Sequence, residues 1–259
     1  MRFLRGLFVV ASLFIFSISA VASSASPKEG EDYQILSPAQ SAESGKQVEV
    51  IEFFGYHCPH CNAFDPVLHE WVKKQGSNIV FKRIHTAFHE SILPQQRMYF
   101  TLEAMGKAEE LHEKIFKAIH VDHKPLNKED GIVEFVVAQG IDKQKFLDVY
   151  NSFAVQTKVR RAKQMQETYK IEGVPTVVVE GKYVTSPSIV SAGMPRDHQT
   201  EPELQVAAVN VLSTLVDKVA SEHGHSSEKG TLAASAKSTG GGKVKSKAPA
   251  KEKTDQKAK

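Results

Sequence analysis

The sequence predicts an α/β fold in which an all-helical segment interrupts a domain built on one sheet. Two apolar, β-branched runs, at 47–54 and 78–85, flank a stretch of helical periodicity and so predict a strand–helix–strand unit. Helical periodicity returns over 92–169, and a hairpin and a closing helix follow. We therefore expect one body, residues 23–221, with a helical insertion at about 88–168.

The elements of the body can be placed in order. A short edge strand is predicted at 33–36, and the run at 47–54 reads as a central strand in which Glu52 stands out. A helix is predicted at 59–74, and glycine and proline residues then separate the helices of the insertion. The β-branched run after Gly173 predicts a strand, Glu180-Gly181 a tight hairpin turn, and Pro202 the start of the last helix.

The first 22 residues have the pattern of a secretory signal peptide. Arg2 and Arg5 precede an apolar run at 7–18, and Ala20-Val21-Ala22 fits the rule for a cleavage site. An uncleaved membrane anchor is the alternative, but the run is shorter than the roughly 20 residues that cross a bilayer. We expect cleavage, no stable membrane insertion, and a mature protein outside the cytoplasm, where disulfide chemistry persists.

The last segment, 222–259, consists mainly of Lys, Ala, Ser and Gly, and we predict that it is disordered. It holds nine lysines against four acidic residues, while the formal net charge of the whole chain is only +3. The body is therefore net negative, which argues against nucleic-acid binding by the folded part. The basic tail is either simply solvated or a site for anionic lipid or another polyanion.

Cys58 and Cys61 are the only cysteines, and they stand between the predicted central strand and the first helix. A helix N-terminus carries unpaired N–H groups and the positive end of the helix dipole, which favour a thiolate on the first cysteine. A thiolate is the form that attacks in disulfide exchange. The pattern predicts a redox-active pair with Cys58 as the exposed nucleophile and Cys61 more buried.

Two other uses of the pair are open. A structural disulfide is one, but a bridge across so short a loop constrains little of the unfolded chain. A zinc site with His57 and His60 is the other, although structural zinc usually takes two separated ligand pairs and no second pair exists here. We expect neither a metal nor an organic cofactor. The histidines at 85, 89, 112, 120 and 123 lack a convincing metal spacing and receive no predicted function.

The segment Glu52-Phe53-Phe54 leading into Cys58-Pro59-His60-Cys61, together with Gly173-Val174-Pro175, resembles the DsbA family of periplasmic thiol oxidases within the thioredoxin superfamily. The resemblance covers about 31–220. A Pro-His dipeptide between the cysteines is typical of DsbA, whereas thioredoxin has Gly-Pro and disulfide isomerase Gly-His. The resemblance implies a thioredoxin fold with an inserted all-helical domain.

The Pro-His dipeptide has a place in the chemistry. Pro59 suits the first turn of a helix, where its missing N–H has no partner. His60 can donate a hydrogen bond to the Cys58 sulfur or, when protonated, place a positive charge near it. Either effect stabilises the reduced pair, and a pair whose reduced form is stabilised is an oxidant. That direction is implied by the resemblance, because DsbA itself is the known oxidant of this kind.

Glu52, on an apolar strand, is expected to be partnered or functional, the alternative being an exposed side chain on a half-buried strand. The resemblance implies a buried acid that assists proton movement to or from the buried thiol. Lys82 or Arg83 on the next strand could supply its counter-charge. The resemblance favours Arg83, where DsbA carries lysine, and an arginine does not give up its proton.

Pro175 occupies the position of the cis-proline that faces the cysteines in the superfamily. The resemblance implies a cis Val174–Pro175 bond and a backbone at Val174 that can pair with an extended substrate peptide. An ordinary trans-proline at the start of a strand is the alternative.

The implied activity is that of a dithiol oxidase. The Cys58–Cys61 disulfide would be transferred to reduced, unfolded secreted proteins, which an apolar groove beside the site would bind. A membrane quinone-linked partner of the DsbB type would then re-oxidise the pair. A monomer suffices. One rival is an isomerase or reductase of the DsbC or DsbG type, which has an N-terminal dimerisation domain for which few residues are present here. A chaperone or metal-binding module that kept the fold is the other.

Overall fold

A computed structural model describes residues 26–42, 45 and 47–237, with side chains as far as 224. The predicted signal peptide and the end of the predicted tail lie outside these residues. The fold class is the predicted one, a mixed sheet with helices and a helical block between its third and fourth strands.

The sheet has five strands in the order β1-β5-β4-β2-β3. They are β1 Gln34–Ile35, β2 Val48–Phe54, β3 Ile79–His85, β4 Thr176–Val179 and β5 Tyr183–Thr185. β2 runs parallel to β3 and antiparallel to β4. Every residue of β2 is buried, which accounts for its nearly continuous apolar sequence. β2 ends at Phe54, four residues before Cys58, so its C-terminal end leads into the cysteine motif.

Eight α-helices complete the described part of the chain: α1 Pro59–Gln75, α2 Leu93–Ala104, α3 Ala108–His120, α4 Glu129–Ala138, α5 Lys143–Tyr150, α6 Phe153–Thr168, α7 Pro187–Val190 and α8 Glu201–Lys237. α1 and α8 pack together against one face of the sheet, where the Trp71 indole donates a hydrogen bond to Ser213 Oγ at 2.8 Å. α2–α6 form the predicted insertion and enclose their own apolar core. None of the helices in the described residues is long and apolar enough to cross a membrane.

The core of the insertion is continuous with the cysteine motif. Cys58, Cys61, Phe54 and Tyr56 belong to the same apolar cluster as the inward side chains of α2–α6. The cysteines thus lie at the junction of the sheet and the helical insertion.

α8 continues past residue 222, where the predicted tail begins, as far as Lys237. Residues 222–237 are rich in Ala, Lys, Glu and Ser, and the first three of these have high helix propensity. A helix already held against the sheet can extend through such a composition without a new nucleus. The short helix α7 is not evident in the sequence pattern.

The β4–β5 turn provides a test of the fold. Glu180 and Gly181 have φ of 51° and 61°, as the predicted hairpin turn requires, and a Cβ on Gly181 would overlap the carbonyl oxygen of Gln40. We expect Gly181→Ala to lower the free energy of unfolding by about 2–4 kcal/mol, measured by urea denaturation. Gly106→Ala is the control, since Gly106 also has positive φ, at 68°, but no neighbouring atom near its Cβ position. It should cost only about 1–2 kcal/mol, and equal losses would contradict the steric argument.

Candidate active site

The two cysteines differ in position and exposure. Cys58 is the N-cap of α1, and Pro59 occupies the first turn. The Cys58 sulfur caps the helix by accepting a hydrogen bond from the Cys61 N–H at 3.4 Å. Cys58 is 8% exposed and Cys61 is fully buried, and both are free thiols. Only Cys58 can therefore meet a substrate without rearrangement of the site.

The same geometry separates the acidities of the two thiols. The pKa of Cys58 is lowered to about 6, chiefly by the hydrogen bond from the Cys61 side chain; burial opposes this, and the backbone N–H groups of Cys61 and His60 and the charge of His60 add to it. The pKa of Cys61 is raised far above its usual range by burial and then by its contact with Cys58. At neutral pH the reduced site therefore holds a Cys58 thiolate beside a protonated Cys61.

The Val174–Pro175 peptide bond is cis and faces Cys58. The Cys58 thiol donates a hydrogen bond to the Val174 carbonyl oxygen at 3.3 Å, so the segment before β4 lies directly against the reactive sulfur. Pro175 has no N–H, so the Val174 carbonyl is the hydrogen-bonding group that this peptide bond presents to the thiol. The structure thus brings together Cys58, Val174 and Pro175 from distant parts of the sequence.

A cavity of about 720 Å³ opens beside this contact. The expectation of an apolar groove is wrong in part, since hydroxyl, amide and charged side chains share the lining with aliphatic ones. The polar members include Gln34, Lys170, Ser186, Ser188, Gln199 and Gln205, and the aliphatic ones Ile171, Val184, Ile189 and Leu204. The groove offers hydrogen-bonding groups along an extended peptide as well as apolar contacts.

His60 does not direct its ring at the sulfur. Its side chain is 74% exposed, and Nδ1 lies 2.8 Å from Oε1 of Glu201, the first residue of α8. The hydrogen bond to Glu201 raises the pKa of His60; partial burial opposes this, and the charges of Glu201 and Cys58 add to it. Of the two roles predicted for His60, the geometry favours the positive charge over a direct hydrogen bond to Cys58.

Glu52 is buried and lies opposite Arg83 in the parallel register of β2 and β3. Arg83 Nε donates to Glu52 Oε2 at 2.9 Å, so the exposed alternative is wrong and the predicted partner is correct. Burial raises the pKa of Glu52, and the charge of Arg83 opposes that rise. Lys82, the other candidate, pairs with Glu49 instead. The charge of Glu52 also adds, as the smallest of the causes, to the raised pKa of Cys61.

Arg83 is the centre of a larger ion network that the sequence did not reveal, buried except at Glu109. Its guanidinium also binds Asp65 at 3.3 Å and Glu109 at 2.6 Å, and Asp65 Oδ1 lies 3.0 Å from His112 Nε2. His112 Nδ1 is in turn 3.0 Å from the hydroxyl of Tyr56, which is fully buried. A chain of polar groups thus runs from Glu52 on β2 through Arg83 and Asp65 to His112 on α3, in the insertion.

Three of the histidines for which the sequence predicted no function, His85, His112 and His120, contact Tyr56. The Tyr56 N–H donates to His85 Nε2 at 3.1 Å, and His120 Nε2 donates to the Tyr56 carbonyl oxygen at 2.8 Å. Burial lowers the pKa of His85 to about 3, so its ring is neutral. His112 lies on the apolar face of α3 with Leu111, Ile115 and Phe116, and that placement was the available sequence signal. In the described part of the chain, no three His, Cys, Asp or Glu side chains are arranged to hold a metal ion.

The fold and the dithiol site define a thioredoxin-like protein with a helical insertion. The chain belongs to the DSBA-like thioredoxin domain family, whose model matches residues 49–201. It is 44% identical over 186 residues to a thiol:disulfide interchange protein DsbA from Burkholderia cepacia, covering 71% of this chain and 87% of that protein. A DsbA from Pseudomonas aeruginosa is 37% identical over 75% of this chain and 92% of its own length.

Solved structures agree with these relationships. The crystal structure of Pseudomonas aeruginosa DsbA matches with a TM-score of 0.66 and 32% identity, over 74% of this chain and 94% of that one. DsbA from Xylella fastidiosa matches with a TM-score of 0.66 and 25% identity, over 75% and 98%. The matches extend over nearly the full length of both solved chains, so they include the helical insertion.

The acidity of Cys58 can be tested through its strongest partner. In the reduced protein, the ultraviolet absorbance of the thiolate should rise with pH through a midpoint near pH 6, because the pKa of Cys58 is about 6. Cys61→Ala removes the largest stabilising hydrogen bond and should move that midpoint upward. Cys61→Ser keeps a hydroxyl donor and serves as the control, with a smaller shift. A wild-type midpoint near the roughly 8.5 of a free cysteine would contradict the assignment.

The buried ion cluster should respond strongly to the loss of its cation. Arg83→Met leaves Glu52 and Asp65 without their buried counter-charge, and we expect unfolding to require about 3–5 kcal/mol less free energy. Lys158→Met, which breaks the exposed pair with Glu103, is the control and should cost about 0–1 kcal/mol in urea denaturation. The double variant Glu52→Gln/Arg83→Met should regain part of the loss. No recovery there would mean that the charge of Glu52 is not what Arg83 balances.

Proposed function

We propose that this thiol:disulfide oxidoreductase is a periplasmic dithiol oxidase that passes its Cys58–Cys61 disulfide to newly exported proteins. The observation that carries the proposal is the unequal acidity of the pair, with the pKa of Cys58 lowered to about 6 beside a Cys61 whose pKa is raised. A stabilised Cys58 thiolate favours the reduced enzyme, and an enzyme that favours its reduced form withdraws electrons from substrate thiols.

The exchange proceeds in two steps that balance electrons and protons. A substrate thiolate attacks the Cys58 sulfur, the Cys58–Cys61 bond breaks, and Cys61 leaves with the electron pair and takes up a proton. A second substrate thiolate then attacks the substrate sulfur of the mixed disulfide, and Cys58 leaves as a thiolate. The substrate has lost two electrons and the enzyme has gained them. The low pKa of Cys58 makes it the better leaving group in the second step.

Glu52 would serve the first step by exchanging a proton with Cys61. Cys61 is fully buried and must gain a proton as it leaves, and the buried Glu52 carboxyl, whose pKa is raised, is near enough for its charge to act on Cys61. Arg83, which holds Glu52 at 2.9 Å, keeps its own proton. The proton exchange therefore falls to the carboxyl, and the guanidinium orients it.

Substrate binding follows from the cis-proline contact. The hydrogen bond from the Cys58 thiol to the Val174 carbonyl exists only while the sulfur is protonated, so it is absent from the disulfide and the thiolate forms. In those forms the carbonyl is available to an N–H of an extended substrate peptide. The mixed lining of the adjacent groove suits unfolded segments, which present backbone groups together with scattered apolar side chains.

The family relationship supports the rest of the cycle. The reduced pair would be re-oxidised by a membrane quinone-linked oxidase of the DsbB type, and the periplasm is the compartment in which such a cycle operates. The main rival is an isomerase or reductase on the same fold. The equilibrium of the pair separates them, because a reductant prefers its disulfide form and an oxidant its dithiol form.

The decisive experiment is the equilibrium of Cys58–Cys61 with glutathione, followed by mass or by the fluorescence of Trp71, which lies on α1. The pair should stay largely reduced even in buffers rich in oxidised glutathione. A pair that is already oxidised at a low ratio of oxidised to reduced glutathione would be a thioredoxin-like reductant, and the proposal would be wrong.

Activity supplies the matched control. The oxidised protein should oxidise a reduced, unfolded ribonuclease, and the ribonuclease should then regain its enzymatic activity slowly. Cys58→Ser should lose the ability to oxidise this substrate. A scrambled ribonuclease should be rescued poorly, since that reaction needs an isomerase. Full oxidation by Cys58→Ser, or efficient rescue of the scrambled substrate, would overturn the assignment to the oxidase class.

A further inference from the structure

The pairing of His60 with Glu201 joins the active site to the start of the last helix. His60 lies in the first turn of α1 and Glu201 is the first residue of α8, and their Nδ1 and Oε1 atoms are 2.8 Å apart. α1 and α8 pack against each other, and this packing holds the Glu201 carboxylate beside His60. The Cys58 sulfur is on the same helix start as His60, and the charge of His60 lowers the pKa of Cys58.

At its position in the first turn of α1, His60 needs an anionic partner in order to be protonated at neutral pH. The N-terminus of a helix carries partial positive charge, which disfavours a cation in the first turn. An imidazole has an ordinary pKa of about 6.5, so an unassisted His60 at this site would be largely neutral at pH 7 and would add little to the stability of a thiolate. A carboxylate at hydrogen-bond distance offsets the helix dipole, and an acidic residue is itself favoured in the first turn of α8.

We propose that Glu201 is a positioning residue that holds His60 as an imidazolium beside Cys58 and so sets how strongly the pair oxidises at neutral pH. The inference rests on the proposed oxidase function and deepens it. Glu201 hydrogen-bonds the imidazole rather than the sulfur, so it acts on Cys58 through His60. Lys170 and Glu172 are the other charged side chains that line the same cavity as this pair.

The pH dependence follows from the sign of the shift. The pKa of His60 is raised by Glu201, so the positive charge beside the Cys58 thiolate is lost as pH rises through that pKa. Below pH 6 the Cys58 sulfur is itself increasingly protonated, because its pKa is about 6, and the charge of His60 then adds little to the reduced state. Without Glu201 the loss begins at a lower pH. Wild type and variant should therefore agree at acid pH, where His60 is protonated in both, and differ around neutrality.

The test is Glu201→Gln in the full-length protein, with Glu172→Gln as the control that removes the same charge from the same groove. The His60 ring should titrate at lower pH in Glu201→Gln than in wild type when its NMR signals are followed, and Glu172→Gln should leave it nearly unchanged. The equilibrium with glutathione should shift about two- to fivefold toward the disulfide at pH 7, and should match wild type near pH 5.

Three results would overturn the proposal. The first is an unchanged His60 titration in Glu201→Gln. The second is a shift toward the dithiol at every pH, since Glu201 would then act on the thiolate directly by repulsion. The third is an undiminished effect of Glu201→Gln on the glutathione equilibrium in a His60→Gln background, where coupling through the imidazole is absent. The titration of His60 is independent of whether the pair is an oxidant, so it separates failure of this inference from failure of the proposed function.

Discussion

The sulfur of Cys58 caps helix α1, and the chemistry of the site depends on that position. A capping side chain accepts hydrogen bonds from the first free N–H groups of a helix, and a sulfur accepts them best as a thiolate. The bond that completes the helix is therefore also one that stabilises the anion. Cys61, one turn further, is inside the apolar cluster and has no free helix terminus to face. Two identical thiols thus acquire opposite acidities, because the hydrogen bond from the Cys61 side chain, joined by backbone N–H groups at the helix start, lowers the pKa of Cys58 while burial raises that of Cys61.

The helical insertion contributes to this asymmetry. Its apolar core includes Cys61 and Phe54, so α2–α6 exclude water from the inner side of the cysteine motif. Burial disfavours charge, and it is the largest cause of the raised pKa of Cys61. On the outer side, the cis-proline segment and the groove leave Cys58 within reach of a peptide. The insertion therefore shields the Cys61 sulfur from water, while the sheet and its loops leave the Cys58 sulfur accessible.

Buried charge is the second constraint on the site. Arg83 holds Glu52, Asp65 and Glu109, and Asp65 extends the cluster to His112 and Tyr56. A buried ion pair adds little net stability over an apolar core, but removing one partner leaves an uncompensated buried charge and is strongly destabilising. Because arginine remains charged, Glu52 is the member of the Glu52–Arg83 pair that can exchange a proton.

The sequence by itself determined the order of the elements, the redox pair and the family, because strand and helix periodicity, a helix start after Cys58 and the Pro-His dipeptide are local patterns. It also indicated Glu52, since an acid on an apolar strand needs a partner. Only the tertiary structure decided the remaining contacts across the chain: Glu201 at His60, and Asp65 and His112 around Arg83. These contacts join residues far apart in sequence, and hydrogen bonds between distant side chains follow no periodicity that a single chain displays.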